Sequence, residues 1–223
     1  MALFFKRLFK RQIVSDASVN NGIVAKTYHK PPRCNARAYI LVVDESGSTG
    51  SPMSMGSRRT LTRMQAIQLA AKDYVRQLLA TNPSQLVGLV GFSDMATLHH
   101  LPTPIGTSFQ RFCNAVQSLR PRSTTNLSAG LSLALGQLAK VKAAHSNIVV
   151  ITDGAANADT SLLPQLIRQA KADGARIFTI GVGNNGDSDY NRKLLIQMAR
   201  STGGRFSSAH SFEMLVNALQ KAS

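Results

Sequence analysis

The sequence predicts an α/β domain in which helices cover both faces of a mostly parallel β-sheet. Two observations predict this class. Short runs of uninterrupted apolar residues, such as AYILVV at 38–43, are typical of strands that are buried on both faces. These runs alternate with longer segments of helical periodicity, the order expected of a Rossmann-like three-layer sandwich. The chain of 223 residues has the length of one such domain, and its 43% apolar residues exclude disorder throughout.

Each predicted element has its own boundary signals. The first helix ends before Asn82-Pro83, because proline cannot continue a helix and disfavours helical backbone before it. Pro102 and Pro104 close a short edge strand, and Thr125 or Asn126 is the expected N-cap of the third helix. Strands are predicted, in chain order, at 38–43, 85–93, 95–101, 146–152, 175–181 and 205–207, and helices at 61–80, 109–119, 127–141, 162–172, 189–201 and 212–221.

Charge is distributed unevenly along the chain. The net charge is +15, which favours acidic partners. Residues 1–37 hold eight Lys or Arg against Asp16 alone, and Asn20-Asn21-Gly22 favours a small hairpin among them. We therefore predict two parts: a basic N-terminal extension over 1–37 and an α/β domain over 38–223.

The first thirteen residues form an amphipathic pattern. On a helix of about 100° per residue, one half is apolar and the other half is basic. The apolar half holds Phe4, Phe5, Leu8 and Phe9, and the basic half holds Lys6, Arg7, Lys10 and Arg11. Such a helix can lie at an anionic membrane surface, dock on a partner, or cover a patch of its own domain. A disordered tail is the remaining alternative.

Several classes of protein are disfavoured by composition and by missing motifs. No apolar stretch approaches the roughly 18 residues of a membrane-spanning helix. The two cysteines, Cys34 and Cys113, lie far apart and outside any zinc-ligand spacing, which favours a reducing compartment. No phosphate loop or dinucleotide fingerprint occurs. Nucleic acid is suggested by charge alone, without an aromatic stacking platform, so we do not expect it as a partner.

The loop after the first strand carries the strongest signal. Asp44, Ser46 and Ser48 stand at positions i, i+2 and i+4 and offer a carboxylate and two hydroxyls. A second hydroxyl-rich loop, STTNL at 123–127, precedes a helix, and Asp153 follows the strand predicted at 146–152. Loops at the carboxyl ends of parallel strands meet at one edge of the sheet. All these groups are hard oxygen donors, which select Mg²⁺, Mn²⁺ or Ca²⁺ over zinc or copper.

The same residues have simpler interpretations when they are taken one at a time. Asp44 and Ser46 can cap the turn that follows them. Asp153 and Gly154 can form an ordinary turn after a strand. The joint order of the three elements, each next to a predicted strand or helix, favours the metal site.

Together these residues resemble the von Willebrand factor A (vWA) domain and its metal-ion-dependent adhesion site. The family pattern is DxSxS, then a threonine, then an aspartate at the end of the next strand. Here DESGS at 44–48, TNL at 125–127 and ITDG at 151–154 match it. Thr125 is the matching threonine, with Thr124 as the near alternative because the usual preceding glycines are absent. The resemblance runs from about Ala38 to Lys221 and includes LVGFS at 89–93 and FTIGVG at 178–183.

The resemblance implies a fold and a mechanism. The fold is the three-layer sandwich with one antiparallel edge strand in its mostly parallel sheet. The expected ligands of Mg²⁺, or of Mn²⁺ or Ca²⁺, are Asp44, Ser46, Ser48, Thr125 and Asp153. The two serines would bind the ion directly, and Asp44 would bind it directly or through water. Thr125 and Asp153 would exchange between direct and water-mediated contact. A Glu or Asp carboxylate of a partner protein would then replace a water on the ion.

Arginines surround the predicted metal face. Arg58 and Arg59 lie in the polar segment 50–60, and Arg120 and Arg122 flank the threonine loop. Their guanidinium groups can pair with carboxylates of a partner. A solvated positive rim is the alternative.

We therefore predict a metal-dependent protein-interaction module without enzymatic activity; a metal-dependent hydrolase is disfavoured. It would act as an adaptor or regulator in a larger assembly, associated with an AAA+ ATPase or with stress response or defence, by analogy at the level of the fold. The alternative is a membrane-surface scaffold anchored by the N-terminal amphipathic helix. Self-assembly through the extension is a further prediction. The expected location is the cytoplasm, with a peripheral position at the membrane as the alternative.

Overall fold

The computed structural model describes residues 36–54, 60–154, 160–183 and 190–222. The amphipathic helix and the hairpin predicted in the N-terminal extension lie outside the described residues, as do Arg58 and Arg59. The first strand begins at Arg37, and the division of the chain near this point stays a prediction.

Strands and helices alternate along the described part of the chain. The strands are β1 (Arg37–Asp44), β2 (Pro52–Ser54), β3 (Thr60–Thr62), β4 (Leu86–Phe92), β5 (Ala96–Pro104), β6 (His145–Thr152), β7 (Ala175–Val182) and β8 (Phe206–Ala209). The helices are α1 (Arg63–Thr81), α2 (Ile105–Ser118), α3 (Leu127–Leu138), α4 (Leu163–Ala172), α5 (Arg192–Ser201) and α6 (Phe212–Gln220). A short 3-10 helix (Gly47–Gly50) follows β1.

Six strands form one sheet in the order β5-β4-β1-β6-β7-β8. Each neighbouring pair is parallel except β4 and β5, which are antiparallel. The predicted mostly parallel sheet with one antiparallel edge strand is confirmed. From β1 the chain continues to β4 and β5 on one side, and it later returns to β6, β7 and β8 on the other. Such a reversal opens a crevice at the carboxyl ends of the strands where it occurs, here β1 and β6.

Alternation along β1 divides the core into two layers. Seven of the eight residues of β1 are buried. The side chains on its two faces are Tyr39, Leu41 and Val43, in the layer of α1, α2 and α6, and Ala38, Ile40 and Val42, in the layer of α3, α4 and α5. Burial of a Val, Leu or Ile side chain contributes about 1.5–3 kcal/mol. The strand that ends in Asp44 is therefore held firmly from both sides.

The polar segment between β1 and α1 contains a small hairpin that we did not predict. β2 and β3 pair antiparallel, with Met53 opposite Leu61, and Met53 is buried. The first helix accordingly begins at Arg63 instead of at 61, and Thr62 forms a capping box with Gln65. Strands of three residues are too short for a visible alternation of polar and apolar side chains, which explains the difference.

A second difference concerns β5 and α2. β5 continues to Pro104, past the proline that we expected to end it, and α2 begins at once at Ile105 instead of at 109. Proline is tolerated here because β5 is an edge strand among the described strands, with β4 as its neighbour on one side. Ser108 donates from Oγ to the carbonyl of Pro104 at 2.9 Å and closes the first turn of α2.

The remaining predicted elements are present, with their ends shifted by at most three residues. Asn126 is the N-cap of α3, because its side chain accepts from the amide of Ala129 at 3.1 Å. Within the described ranges, no helix combines the length and the apolar character that crossing a membrane requires.

The connection between α5 and β8 passes very close to β7, and Gly204 allows this approach. A Cβ atom at position 204 would overlap the carbonyl oxygen of Ile177. We expect Gly204→Ala to lower the free energy of unfolding by about 2 kcal/mol or more, because backbone cannot move aside as a side chain can. The measurement is urea-induced unfolding.

Gly136→Ala is the matched control for this substitution. Gly136 lies inside α3, and its Cβ position has open space around it. Alanine should therefore raise the free energy of unfolding by about 0.5–1 kcal/mol. Equal stability of wild type and Gly204→Ala would contradict the proposed close approach.

Candidate metal centre

The ends of β1 and β6 bring two carboxylates to one edge of the sheet. The strands run parallel with Val43 opposite Ile151, so Asp44 at the end of β1 lies beside Thr152. Thr152 donates from Oγ1 to Oδ2 of Asp44 at 2.5 Å. The next residue is Asp153, and both carboxylates are buried. Strand register thus places two acids from distant parts of the chain next to each other.

The loop after β1 folds back on its own carboxylate. The amide of Ser46 donates to Oδ1 of Asp44 at 2.8 Å. Thr49 donates from Oγ1 to the carbonyl of Ser46 at 2.7 Å and is buried. The hydroxyl oxygens of Ser46 and Ser48 are 2.9 Å apart, and Ser48 donates to Oδ1 of Asp153 at 2.7 Å. The DxSxS segment and the aspartate after β6 therefore form one hydrogen-bonded cluster.

Backbone hydrogen bonds fasten the threonine loop, residues 123–127, and the arginine that precedes it to the same edge. The amide of Gly47 donates to the carbonyl of Ser123 at 3.1 Å. The amide of Arg122 donates to the carbonyl of Glu45 at 2.6 Å. Both bonds join main-chain atoms, so these two contacts do not depend on a side-chain rotamer.

Three oxygen atoms converge on one point beside Gly154. A Cβ atom built on this glycine would lie 3.2 Å from Oγ1 of Thr125, 3.6 Å from Oγ of Ser48 and 3.7 Å from Oδ2 of Asp44. Of the two candidate threonines, Thr125 is the one that reaches the cluster, whereas Thr124 is exposed. The structure thus brings all five predicted ligand residues together at this edge.

The donor set fits a hard divalent cation. It consists of two carboxylates and three hydroxyls, and such oxygen ligands suit Mg²⁺, Mn²⁺ or Ca²⁺. In the part of the chain that the structure describes, no group of three or more His, Cys, Asp and Glu residues is arranged to hold an ion. Because three of its five donors are neutral hydroxyls, the cluster offers less negative charge than a site built from carboxylates alone.

Both carboxylates resist ionisation because they are buried. Burial raises the pKa of Asp44 to about 6, although a hydrogen bond from Thr152 acts in the opposite direction. Burial also raises the pKa of Asp153, against hydrogen bonds from Ser48 and Arg63. A bound cation would favour the ionised form of both groups.

Glu45 is a buried residue of this edge that the sequence analysis missed. Its carboxylate accepts from the amide of Arg120 at 3.1 Å and lies 3.1 Å from Nε2 of His99. Burial opposes its ionisation, but these partners outweigh burial and lower the pKa of Glu45. Gly91 of β4 leaves room for the Glu45 carboxylate, because a Cβ atom at position 91 would overlap Oε2 of Glu45. The sequence signal for Glu45 was its position between Asp44 and Ser46. That position directs the Glu45 side chain to the side of the loop opposite the two predicted ligands.

Arg63 is the second residue that the sequence analysis missed. Its Nη1 donates to Oδ2 of Asp153 at 3.0 Å, and the two side chains are 6% and 0% exposed. An arginine at the first position of a helix opposes the helix dipole. No signal in the sequence predicted this position, because the helix was expected to begin at 61.

Arg120 and Arg122, the two arginines of the predicted rim that the structure describes, differ in the contacts of their guanidinium groups. The guanidinium group of Arg120 donates to the carbonyls of Gln117 and Leu119, at 2.6 and 2.8 Å, and is directed to the end of α2. Arg122 keeps 54% of its side chain exposed, while its Nε lies 3.7 Å from Oε1 of Glu45. Arg122 is therefore the better placed of the two for contact with another molecule.

The raised pKa of Asp44 predicts how the stability of the metal-free protein depends on pH. The folded state holds the proton more tightly than the unfolded state, so this contribution is complete below the unfolded value of 3.8 and is lost as the pH rises through about 6. Between pH 5 and pH 7 in EDTA, the free energy of unfolding should fall by about 1 kcal/mol through this group. Urea unfolding at several pH values is the measurement.

Asp44→Asn provides the comparison, because an amide cannot titrate and this part of the pH dependence should vanish. Glu45 acts with the opposite sign: its contribution is present above its ordinary pKa of 4.5 and is lost at lower pH. Its effect therefore lies below the chosen window. An equal slope between pH 5 and pH 7 in wild type and Asp44→Asn would show that Asp44 does not titrate there.

Two curated relatives share part of their sequence with this chain. An uncharacterized protein of Borreliella burgdorferi is 25% identical over 206 residues, which cover 82% of this chain and 57% of that protein. The uncharacterized protein YfbK of Escherichia coli K12 is 28% identical over 190 residues, which cover 83% of this chain and 30% of that protein. The chain thus spans about half and about a third of the length of these relatives.

Solved structures share the fold. A von Willebrand factor type A protein from Catenulispora acidiphila superposes with a TM-score of 0.71 at 19% identity, over 84% of this chain and 42% of that one. The conserved hypothetical protein BatB from Bacteroides thetaiotaomicron superposes with a TM-score of 0.64 at 16% identity, over 83% of this chain and 98% of that one. At these identities the likeness concerns the fold alone.

The family is shown by the sequence match itself. Residues 40–222, most of the chain, match the von Willebrand factor type A domain. The matched range includes the DxSxS loop, the threonine loop and the aspartate after β6. This chain belongs to the von Willebrand factor type A domain family.

Proposed function

We propose that this vWA domain is a divalent-metal-dependent protein-binding module whose site is completed by a carboxylate of the partner. The observation that supports this most directly is the convergence of Thr125 Oγ1, Ser48 Oγ and Asp44 Oδ2 on one point at the sheet edge. Hydroxyl and carboxylate oxygens suit Mg²⁺, with Mn²⁺ and Ca²⁺ as alternatives. When bound, the ion would supply a coordination position that an external carboxylate can take.

Each of the five residues has a part in holding the ion. Ser46 and Ser48 would bind through their hydroxyls, which now contact each other and Asp153. Asp44 would bind directly or through water, held in orientation by its hydrogen bond from the amide of Ser46. Thr125 and Asp153 would exchange between direct and water-mediated contact. These roles follow the resemblance to the family, residue by residue.

The partner surface that fits this face is acidic. The chain carries a net charge of +15, which attracts acidic proteins over long range. Arg122 is exposed beside the cluster and can pair with a second carboxylate of the partner. We propose the same role, with less support, for Arg120 and for Arg58 and Arg59, the last two of which lie outside the described residues.

We propose a binding role and not a catalytic one. The hydroxyls of Ser46 and Ser48 contact each other, and that of Ser48 contacts Asp153. This arrangement suits ligands of an ion, whereas a serine nucleophile needs an adjacent base such as histidine. The chain would act as an adaptor or regulator in a larger assembly, associated with an AAA+ ATPase or with stress response or defence. We propose a cytoplasmic location, with a peripheral position at the membrane as the alternative.

Gly154→Ala should weaken Mg²⁺ binding by about tenfold or more, because its methyl group would stand 3.2 Å from Oγ1 of Thr125 where the oxygens converge. Gly50→Ala is the control: it lies nearby on the 3-10 helix, and its nearest neighbours are side-chain atoms of Pro121 at 3.8 and 4.0 Å. Isothermal titration of both variants with Mg²⁺ is the measurement. Equal affinities would contradict the proposal that the ion binds among these oxygens.

The proposed function is tested by capture from the native lysate with quantitative mass spectrometry. Wild type in Mg²⁺, wild type in EDTA, and Ser46→Ala/Ser48→Ala in Mg²⁺ are compared. We expect a partner that is retained by the first sample alone. Ser84→Ala/Ser118→Ala removes two exposed hydroxyls elsewhere and should retain the partner in Mg²⁺. Retention by all samples would overturn metal-bridged docking.

The amphipathic pattern of the first thirteen residues supports a second proposal, a membrane-surface scaffold. Its apolar and basic halves are typical of a helix that lies at an anionic membrane. Sedimentation with anionic liposomes distinguishes this scaffold from metal-bridged docking. The sedimentation should be lost on deletion of residues 1–13 and should be insensitive to EDTA. Size-exclusion chromatography of the same deletion tests self-assembly through the extension.

A further inference from the structure

Glu45 stands between two of the proposed ligands, yet its carboxylate contacts other parts of the domain. The Glu45 side chain is 2% exposed. Its Oε1 accepts from the amide of Arg120 at 3.1 Å, and its Oε2 lies 3.1 Å from Nε2 of His99. A buried carboxylate is costly unless hydrogen bonds compensate it. Its position is therefore tied to β5 on one side and to the segment before the threonine loop on the other.

The main chain of Glu45 makes two further contacts at the same place. Its amide donates to the carbonyl of Phe92 at 2.7 Å, and its carbonyl accepts from the amide of Arg122 at 2.6 Å. Gly91 leaves room for this arrangement, because a Cβ atom there would overlap Oε2 of Glu45. Glu45 thus joins the end of β4, the edge strand β5 and the segment 120–122.

The connection that carries Thr125 is held by such contacts. In the described structure it contains neither helix nor strand between the end of α2 and the start of α3. The bonds to Glu45 hold its beginning, and the bond from the amide of Gly47 to the carbonyl of Ser123 holds its middle. Glu45 and Gly47 both belong to the DxSxS loop, so this loop also positions the threonine that completes the site.

We infer that Glu45 is a positioning residue of the metal centre: its carboxylate, supported by His99, holds the main chain that leads to Thr125. This inference rests on the proposed function and assigns a role to a residue that is not a ligand. The carboxylate acts by accepting a hydrogen bond, and its negative charge is not what the ion requires. Loss of the bond from Arg120 should therefore weaken ion binding, whereas loss of the charge alone should not.

The hydrogen bond is best removed from its exposed end. Glu45→Ala would leave a cavity in the fold, whereas Arg120 is exposed. Arg120→Pro has no N–H to donate, and Arg120→Ala, the matched variant, loses the same guanidinium group but keeps the N–H. Leu119 already has the extended backbone that a following proline requires, with φ −57° and ψ 135°.

The first experiment titrates Mn²⁺ into the full chain of wild type and of both variants. The free ion is read by electron paramagnetic resonance, and circular dichroism in EDTA verifies that the proteins are folded. Arg120→Pro should bind Mn²⁺ about tenfold more weakly than Arg120→Ala, because it alone releases the connection from Glu45.

His99→Ala keeps the inference testable if Arg120→Pro does not fold. It removes the contact of Oε2 and leaves the amide of Arg120 in place. The carboxylate then lacks its support on β5, so Mn²⁺ binding should weaken by about threefold or more. In that case, an unchanged affinity of His99→Ala would overturn the inference.

Glu45→Gln separates the hydrogen bond from the charge. The amide oxygen of glutamine can accept from the amide of Arg120, and its NH₂ group can donate to Nε2 of a neutral His99. The variant should therefore bind Mn²⁺ within about threefold of wild type. A larger loss would show that the ion requires the charge, and it would overturn the positioning role.

A double-mutant cycle tests whether Glu45 acts through Thr125. Thr125→Val removes the hydroxyl and keeps the branched shape. In that background Arg120→Pro and Arg120→Ala should bind Mn²⁺ within about threefold of each other, because no threonine hydroxyl is left to position. A difference that persists would show a general effect on the fold and would overturn the inference.

The outcomes separate this inference from the proposed function. Failure of wild type to bind Mn²⁺ at all would overturn both. Mn²⁺ binding by wild type, with equal affinities of folded Arg120→Pro and Arg120→Ala, would overturn the inference alone.

Discussion

The register of β1 against β6 is the constraint on which the rest of the site depends. β1 is buried on both faces, and a slip by one residue would turn each of its side chains into the wrong layer of the core. The pairing of Val43 with Ile151 is thereby fixed, and with it the contact between Asp44 and Thr152. The core thus fixes the geometry of the oxygen cluster, and the loops add the remaining groups.

Two neighbouring acids of one loop meet opposite electrostatic environments. Burial dominates at Asp44 and raises its pKa to about 6, whereas His99 and the amide of Arg120 outweigh burial at Glu45 and lower its pKa. Glu45 is therefore a stably ionised anchor that ties β5 and the threonine loop to the end of β1. Asp44 is destabilised in its ionised form, which is the state that a cation stabilises. The same segment thus holds one carboxylate that is stabilised in its ionised form and one that is not.

The sequence allowed the sheet and the convergence of its loops to be predicted, because buried parallel strands leave continuous apolar runs and their carboxyl ends share one edge. It did not allow the partners of individual side chains to be predicted. Glu45 and Arg63 are charged and stand in polar segments, so their sequence environment is that of exposed residues, and their burial depends on Gly91 and Asp153, which are distant in the chain. The β2–β3 hairpin is similarly invisible, because it is stabilised by packing of Met53 and not by local pattern.

Pro102 and Pro104 protect the outer edge of the sheet from other molecules. β5 pairs with β4 on one side, and within the described ranges its other side is an edge of the sheet. Neither proline has an N–H group, so a strand of a second molecule that aligned with this stretch would find two donors missing. Two copies of the domain that meet in solution are thereby hindered from joining their sheets along this stretch.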